Sequence, residues 1–152
     1  MFKNILMVCT GNICRSVMAE YYLKHKISSN NKNTLQNMNI SSAGTHALEL
    51  YPADQTALAV LKKHNIDGSN HQGRQLTEDI IKRSDLILAA EKVHQYNIHS
   101  KYPFARGKVH LIHGDGAIDI PDPYKRAERA FTESLELIIQ GIESWNKTLN
   151  WY

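Results

Sequence analysis

Apolar residues fall along the chain in two rhythms, short unbroken runs and longer stretches spaced by three and four. Residues 2–9 are nearly continuous, with Ile5, Leu6, Met7 and Val8 in succession, the pattern of a central strand covered on both faces. After the polar turn 10–15, Ser16 is placed to cap a helix. That helix carries Met18, Tyr22, Leu23 and Ile27 on one side and runs to about residues 25–28. Residues 28–37, rich in Asn, Ser and Lys, read as a loose connection. Residues 39–43 suit a second strand ending at Gly44. Pro52 then opens a helical segment with Ala57, Leu58 and Leu61 inward, closed by Asn65 and Gly68. Thr77 caps a further helix bearing Ile80 and Ile81. Residues 85–90 form a third buried strand, 91–99 a helical segment, and 109–112 a fourth strand. Beyond the Gly-, Asp- and Pro-rich loop 113–123, Ala127, Phe131, Leu135, Ile138, Ile142, Trp145 and Leu149 recur every three or four residues. They predict a long closing amphipathic helix.

Strands alternating with helices predict a single-domain α/β fold over residues 1–152: a four-stranded parallel twisted sheet with helices on both faces. Ligands of such sheets bind at the carboxyl ends of the strands beside a topological switch point. The turn after strand one is therefore the first place to look for chemistry, as a phosphate loop. Composition changes this picture little. The 152 residues are 42% hydrophobic and 22% charged, ordinary for one globular domain, and the net charge of +3 is scattered. No basic run suits a nucleic-acid backbone. The early apolar run is too short for a signal-peptide core or a membrane span, so the expectation is a cytoplasmic protein without membrane insertion. Two cysteines, Cys9 and Cys14, make neither a disulfide framework nor a structural zinc site. In a reducing compartment they point instead to a reactive thiol.

The turn reads Cys9-Thr10-Gly11-Asn12-Ile13-Cys14-Arg15-Ser16. Five residues separate a thiol from a guanidinium, and the last residue enters a helix. A loop of this length curls its backbone N–H groups around a tetrahedral oxyanion. Gly11 and Asn12 tolerate the left-handed conformations such a nest demands, and the helix N-terminus adds positive partial charge. Phosphate would be held by residues 10–15 without a metal or other cofactor. The same field favours a thiolate at Cys9, and Ser16 is placed to donate its hydroxyl to that sulfur. Arg15 offers a planar fork for two phosphoryl oxygens.

The segment Val8-Cys9-Thr10-Gly11-Asn12-Ile13-Cys14-Arg15-Ser16 closely resembles the signature of the low-molecular-weight protein tyrosine phosphatases. Ser42-Ala43-Gly44-Thr45, His71-x-x-Arg74-Gln75-Leu76, Asp85-Leu86-Ile87-Leu88 and Asp122-Pro123-Tyr124 resemble further blocks of that family in the family's order. The resemblance implies hydrolysis of phosphotyrosine through a cysteinyl-phosphate, with Cys9 as nucleophile, Arg15 as clamp and Asp122 as general acid and base. It also implies a supporting network of Asn12, Ser16, Ser42 and His71, and pocket walls at Ile13, Leu48 and Tyr124. Tyr124 suits packing against a phosphotyrosine ring. Leu48 stands where many relatives carry an aromatic residue, which is similar to bacterial members. Val17 replaces a common proline, and Ala90-Glu91 replaces a common Met-acid pair. The resemblance further implies a phosphotyrosine-containing protein as partner, of the kind of an autophosphorylated bacterial tyrosine kinase controlling exopolysaccharide export.

Plainer readings stand beside these. A lone cysteine at a strand end is usually a small core hydrophobe, and only the company of Arg15, Asp122 and the loop raises Cys9 above that. Cys14 is either packing or a trap for oxidised Cys9. Asp115 and Asp119 are rivals to Asp122 but lack its Asp-Pro-aromatic setting. His110 and His113 have no third ligand at convincing spacing, so no metal is expected. Arsenate reduction on the same fold requires additional cysteines. Protein-arginine phosphatases typically place threonine where Ile13 stands. A non-enzymatic phosphate-binding module would not need nucleophile, arginine and acid together.

Overall fold

The computed structural model describes residues 2–30 and 32–152. Strand β1 (Asn4–Cys9) leads through the loop into helix α1 (Arg15–Asn30), followed by α2 (Lys32–Gln36) and strand β2 (Asn39–Gly44). Helices α3 (Gln55–Lys62) and α4 (Glu78–Arg83) precede strand β3 (Leu86–Ala89) and helix α5 (Lys92–Lys101). A 3-10 turn (Pro103–Lys108) enters strand β4 (Val109–Leu111), and the long helix α6 (Glu128–Leu149) closes the chain. The four strands are all parallel in the order β2-β1-β3-β4. This is the α/β architecture expected.

The period of two along each strand sorts the side chains into two cores. Ile5, Met7, Cys9, Ile40, Leu86 and Leu88 face α1, α3 and α6, meeting Met18, Leu23, Leu61, Phe131, Leu135 and Ile138. Leu6, Val8, Ala43, Ile87 and Val109 face the other way, toward Ile81 of α4 and Ile98 of α5. Both faces of the sheet are therefore covered, which is why β1 reads as an unbroken apolar run. Helix α6 lies hard on the end of β4: a Cβ at Gly141 would fall 2.3 Å from the Ile112 carbonyl oxygen.

Several boundaries differ from the sequence expectation. Ser16 does not cap α1, which already begins at Arg15; its hydroxyl is turned toward Cys9 instead. The segment 28–37 is mostly helical, because α1 runs on to Asn30 and Leu35 of α2 packs on the main core. Helix α3 opens at Gln55 rather than Pro52, because Asp54 Oδ1 accepts the backbone N–H groups of Thr56 and Ala57 at 2.8 and 3.2 Å. Thr77 caps α4 as expected, its Oγ1 accepting from Ile80 N at 3.3 Å.

Strands β2 and β3 flank β1, so the winding of the sheet reverses there. The loop after β1 lies at the carboxyl end of that switch point.

Candidate active site

The loop between β1 and α1 is held from outside by its carbonyls. Those of Cys9, Thr10, Gly11 and Ile13 accept from the backbone N–H groups of Thr45, His46, Leu48 and Asp54 at 2.9–3.0 Å. The Asn12 carbonyl accepts from His71 Nε2 at 2.8 Å. Among the described residues, none of the N–H groups from Thr10 to Cys14 donates to another protein atom. Carbonyls out and amides in is the arrangement that offers donors to an oxyanion. Close approach of β2 is part of the construction, since a Cβ at Gly44 would fall 2.4 Å from the Thr10 carbonyl oxygen.

Asn12 carries the turn at φ 59°, a left-handed conformation that asparagine tolerates better than most residues. Its buried side chain sets a one-way series of hydrogen bonds. Oδ1 accepts from the Arg74 backbone N–H at 2.9 Å, which makes the other amide atom the NH₂ group. Both amide hydrogens go to hydroxyl oxygens, Ser16 at 2.9 Å and Ser42 at 2.8 Å. Each serine is then free to donate onward. Ser42 donates to Glu20 Oε1 at 2.5 Å, and Ser16 Oγ hydrogen-bonds Cys9 Sγ at 2.9 Å, where it can donate to a thiolate.

Arg15, at the first position of α1, is almost fully buried. Its Nη1 donates to Glu91 Oε2 at 2.7 Å and to the Ile120 carbonyl at 2.8 Å. Its Nη2 lies 3.8 Å from Asp122 Oδ2. One edge of the guanidinium is thus anchored, leaving the Nη2 side toward Asp122. Asp122 is held by its other oxygen, Oδ1, which accepts the Tyr124 backbone N–H at 3.1 Å. With 54% of its side chain exposed, Asp122 keeps contact with solvent.

Cys9, Thr10, Gly11, Ile13, Cys14, Arg15, Leu48, Asp122 and Tyr124 line one cavity of about 220 Å³, together with His46. Ser16, Ser42, His71 and the Asn12 side chain stand behind it. The low molecular weight phosphotyrosine protein phosphatase family model matches residues 4–151. The chain belongs to that family. The low molecular weight protein-tyrosine-phosphatase Ptp of Acinetobacter johnsonii is 40% identical over 147 residues, covering 96% of this chain and 97% of Ptp. Vibrio vulnificus Wzb, solved with benzylphosphonate, superposes with a TM-score of 0.86 at 38% identity, covering 97% of this chain and 99% of that one. The YwlE arginine phosphatase of Geobacillus stearothermophilus is more distant at 28% identity, with a TM-score of 0.82 and coverage of 99% and 97%.

As a member of this phosphatase family the chain departs from the sequence reading at some positions. Gly11 has no positive φ, and a Cβ there would meet only Ile13 Cγ1 at 3.8 Å. Asn12 alone supplies the left-handed residue. Asp119 Oδ1 accepts the Lys92 backbone N–H at 2.8 Å and so is committed to the start of α5, while Asp115 lines a different cavity beside His110 and Trp145. His110 contacts the Trp145 ring edge-on at 5.5 Å, and the ring nitrogens of His113 face Asp115 O and Gln140 Oε1.

Glu91, His94, Glu20, Arg74 and His46 were given no role by the sequence. Glu91 and His94 looked only like the opening turn of a helix. A carboxylate three residues before a histidine was the one signal available, and it suggests a capping box rather than contact with a loop 76 residues away. His94 is buried; its Nδ1 accepts the Glu91 backbone N–H at 3.1 Å, which leaves Nε2 to donate to Thr10 Oγ1 at 2.8 Å.

Burial, reinforced by Arg15 and only partly offset by Glu91, pushes the His94 pKa down to about 4. An unfolded histidine protonates near pH 6.5, so the neutral ring's contribution is complete above that pH and lost as pH falls toward 4. The interval corresponds to roughly 3 kcal/mol. In urea denaturation at pH 7 and pH 4, His94→Gln is expected to lose markedly less stability on acidification than the unsubstituted protein. Equal losses would remove His94 as the source.

Proposed function

We propose that this chain hydrolyses phosphotyrosine in proteins through a covalent phosphocysteine at Cys9. The observation that carries the reading is the inward ring of loop amides around a thiol hydrogen-bonded to the Ser16 hydroxyl, with Arg15 and Asp122 on the same cavity. The Cys9 thiolate attacks phosphorus while Arg15 and the loop N–H groups take the charge of the equatorial oxygens. Asp122 gives its proton to the departing tyrosine oxygen. In the second step Asp122 takes a proton from water as that water attacks phosphorus, the S–P bond breaks, and phosphate leaves with Cys9 again a thiolate. Cys14 does not compete as nucleophile: burial, with Asp54 and Cys9 adding to it, pushes its thiol well above the ordinary value. It is kept for packing or for capture of oxidised Cys9.

Ile13, Leu48 and Tyr124 give the cavity apolar sides that suit a flat ring. Benzylphosphonate, present in the Vibrio vulnificus Wzb structure, joins such a ring to a tetrahedral anion. The partner we propose is an autophosphorylated tyrosine kinase of the bacterial exopolysaccharide type, met in the cytoplasm. Among the described residues no helix is long and apolar enough to cross a membrane. Rates on p-nitrophenyl phosphate, phosphotyrosine peptides and phosphoarginine, compared with a chelator present, test the reading. Absence of turnover on both aryl phosphates would sink it.

The arginine phosphatase likeness makes Ile13 the position to alter. Ile13→Thr is expected to raise the ratio of phosphoarginine to phosphotyrosine turnover by roughly tenfold, the size of effect of a few lost methyl and methylene contacts. An unmoved ratio would show that the aliphatic wall does not select the substrate.

A further inference from the structure

The catalytic cavity has a neighbour across His46. His46, whose backbone N–H holds the Thr10 carbonyl, also lines a second and larger cleft of about 510 Å³. That cleft runs between the end of β2 and α5. Leu76, Ile98 and Tyr102, which belong to the smaller core, form its apolar part. Gln75 is fixed within it, its side chain bonded to Ala47 N at 2.9 Å and to Thr45 O at 2.8 Å. The remaining polar lining is exposed and uncommitted to this frame: Asn97 and Lys101, one turn apart on α5, with Ser100 beside them. Among the described residues, no aspartate or glutamate lines the cleft. Lys101 is exposed, with its ammonium 5.5 Å from the centre of the Tyr102 ring that lines the cleft.

Resting on the phosphotyrosine reading, we propose that this cleft seats the peptide on one side of the phosphotyrosine, and that Lys101 selects substrates with an acidic residue there. Two observations carry it. His46 lines both the cleft and the catalytic cavity, so a chain whose phosphotyrosine fills the cavity and leaves on that side runs beside the cleft. Its charge is cationic without a compensating carboxylate, which complements an acidic side chain and repels a basic one. The apolar part supplies area for an extended peptide. The cationic rim supplies discrimination.

The test uses the whole protein with three substrates: p-nitrophenyl phosphate, a phosphotyrosine peptide flanked by glutamates, and the same peptide flanked by serines. Lys101→Glu is expected to lower kcat/KM on the acidic peptide by roughly three- to tenfold, the scale of reversing one exposed charge pair. The serine peptide should change much less and p-nitrophenyl phosphate not at all. Asn97→Arg, which adds a cation one turn away, should raise the preference for the acidic peptide. In the unsubstituted protein that preference should shrink at high salt. Equal effects of Lys101→Glu on both peptides, or no preference to lose, would overturn the inference while leaving the phosphatase reading intact. Failure of the unsubstituted protein on p-nitrophenyl phosphate would overturn the reading itself, and the inference with it.

Discussion

Cys9→Ser is expected to cut turnover of p-nitrophenyl phosphate by more than about 10⁴-fold, the order of loss seen when a covalent nucleophile is removed, while phosphate binding persists. Binding survives because its donors lie elsewhere. The loop carbonyls remain tied to residues 45, 46, 48, 54 and 71, so the amides still face inward, and Arg15 remains anchored to Glu91 and Ile120. A serine hydroxyl in that field stays protonated and does not attack. Calorimetric titration with inorganic phosphate checks the binding half of the expectation, and steady-state rates check the other. Retention of more than a few per cent of the activity would remove Cys9 from its role. Loss of phosphate binding together with activity would show that the thiol helps to shape the nest.

Asp122→Ala should produce an uneven loss. A strongly basic leaving oxygen needs a proton as its bond to phosphorus breaks, so phenyl phosphate hydrolysis is expected to slow by roughly 10²–10⁴-fold. p-Nitrophenolate leaves well unaided and should be slowed far less. Geometry favours Asp122 for this assignment: Oδ2 is 3.8 Å from Arg15 Nη2, whereas Asp119 is occupied by the Lys92 backbone N–H. A uniform loss across a series of substituted phenyl phosphates would mean that Asp122 shapes the cavity without transferring a proton.

The elements that the sequence revealed best are those in which one physical term dominates. The unbroken run in β1 and the three-and-four spacing of α6 both report burial directly, and both stand where expected. Helix starts were less legible, because several side chains compete for one cap. Ser16 reads as a cap but lies inside the first turn and meets the Cys9 sulfur, and Asp54 takes the cap of a helix that the sequence opens at Pro52. The candidate site divides in the same way. Cys9, Arg15 and their loop are contiguous and readable, and the resemblance added Asp122, Ser42 and His71. The Glu91 and His94 contacts joined residues 76 and 84 positions apart, and only the parallel pairing of β1 with β3 brings them together. His46 was missed for a related reason: it is exposed, and its part is played by its backbone and by where β2 ends.

The bare Cα of Gly44 has a consequence for how such an enzyme diversifies. Because any side chain at that position collides with the Thr10 carbonyl, the anion cradle and the end of β2 form one moulding that admits no gradual alteration. Leu48 and Tyr124 line the cavity beside that moulding, and Lys101 lines the neighbouring cleft. On the proposed reading, replacements at Leu48, Tyr124 or Lys101 alter which phosphoprotein is accepted while the loop and the end of β2 stay as one piece.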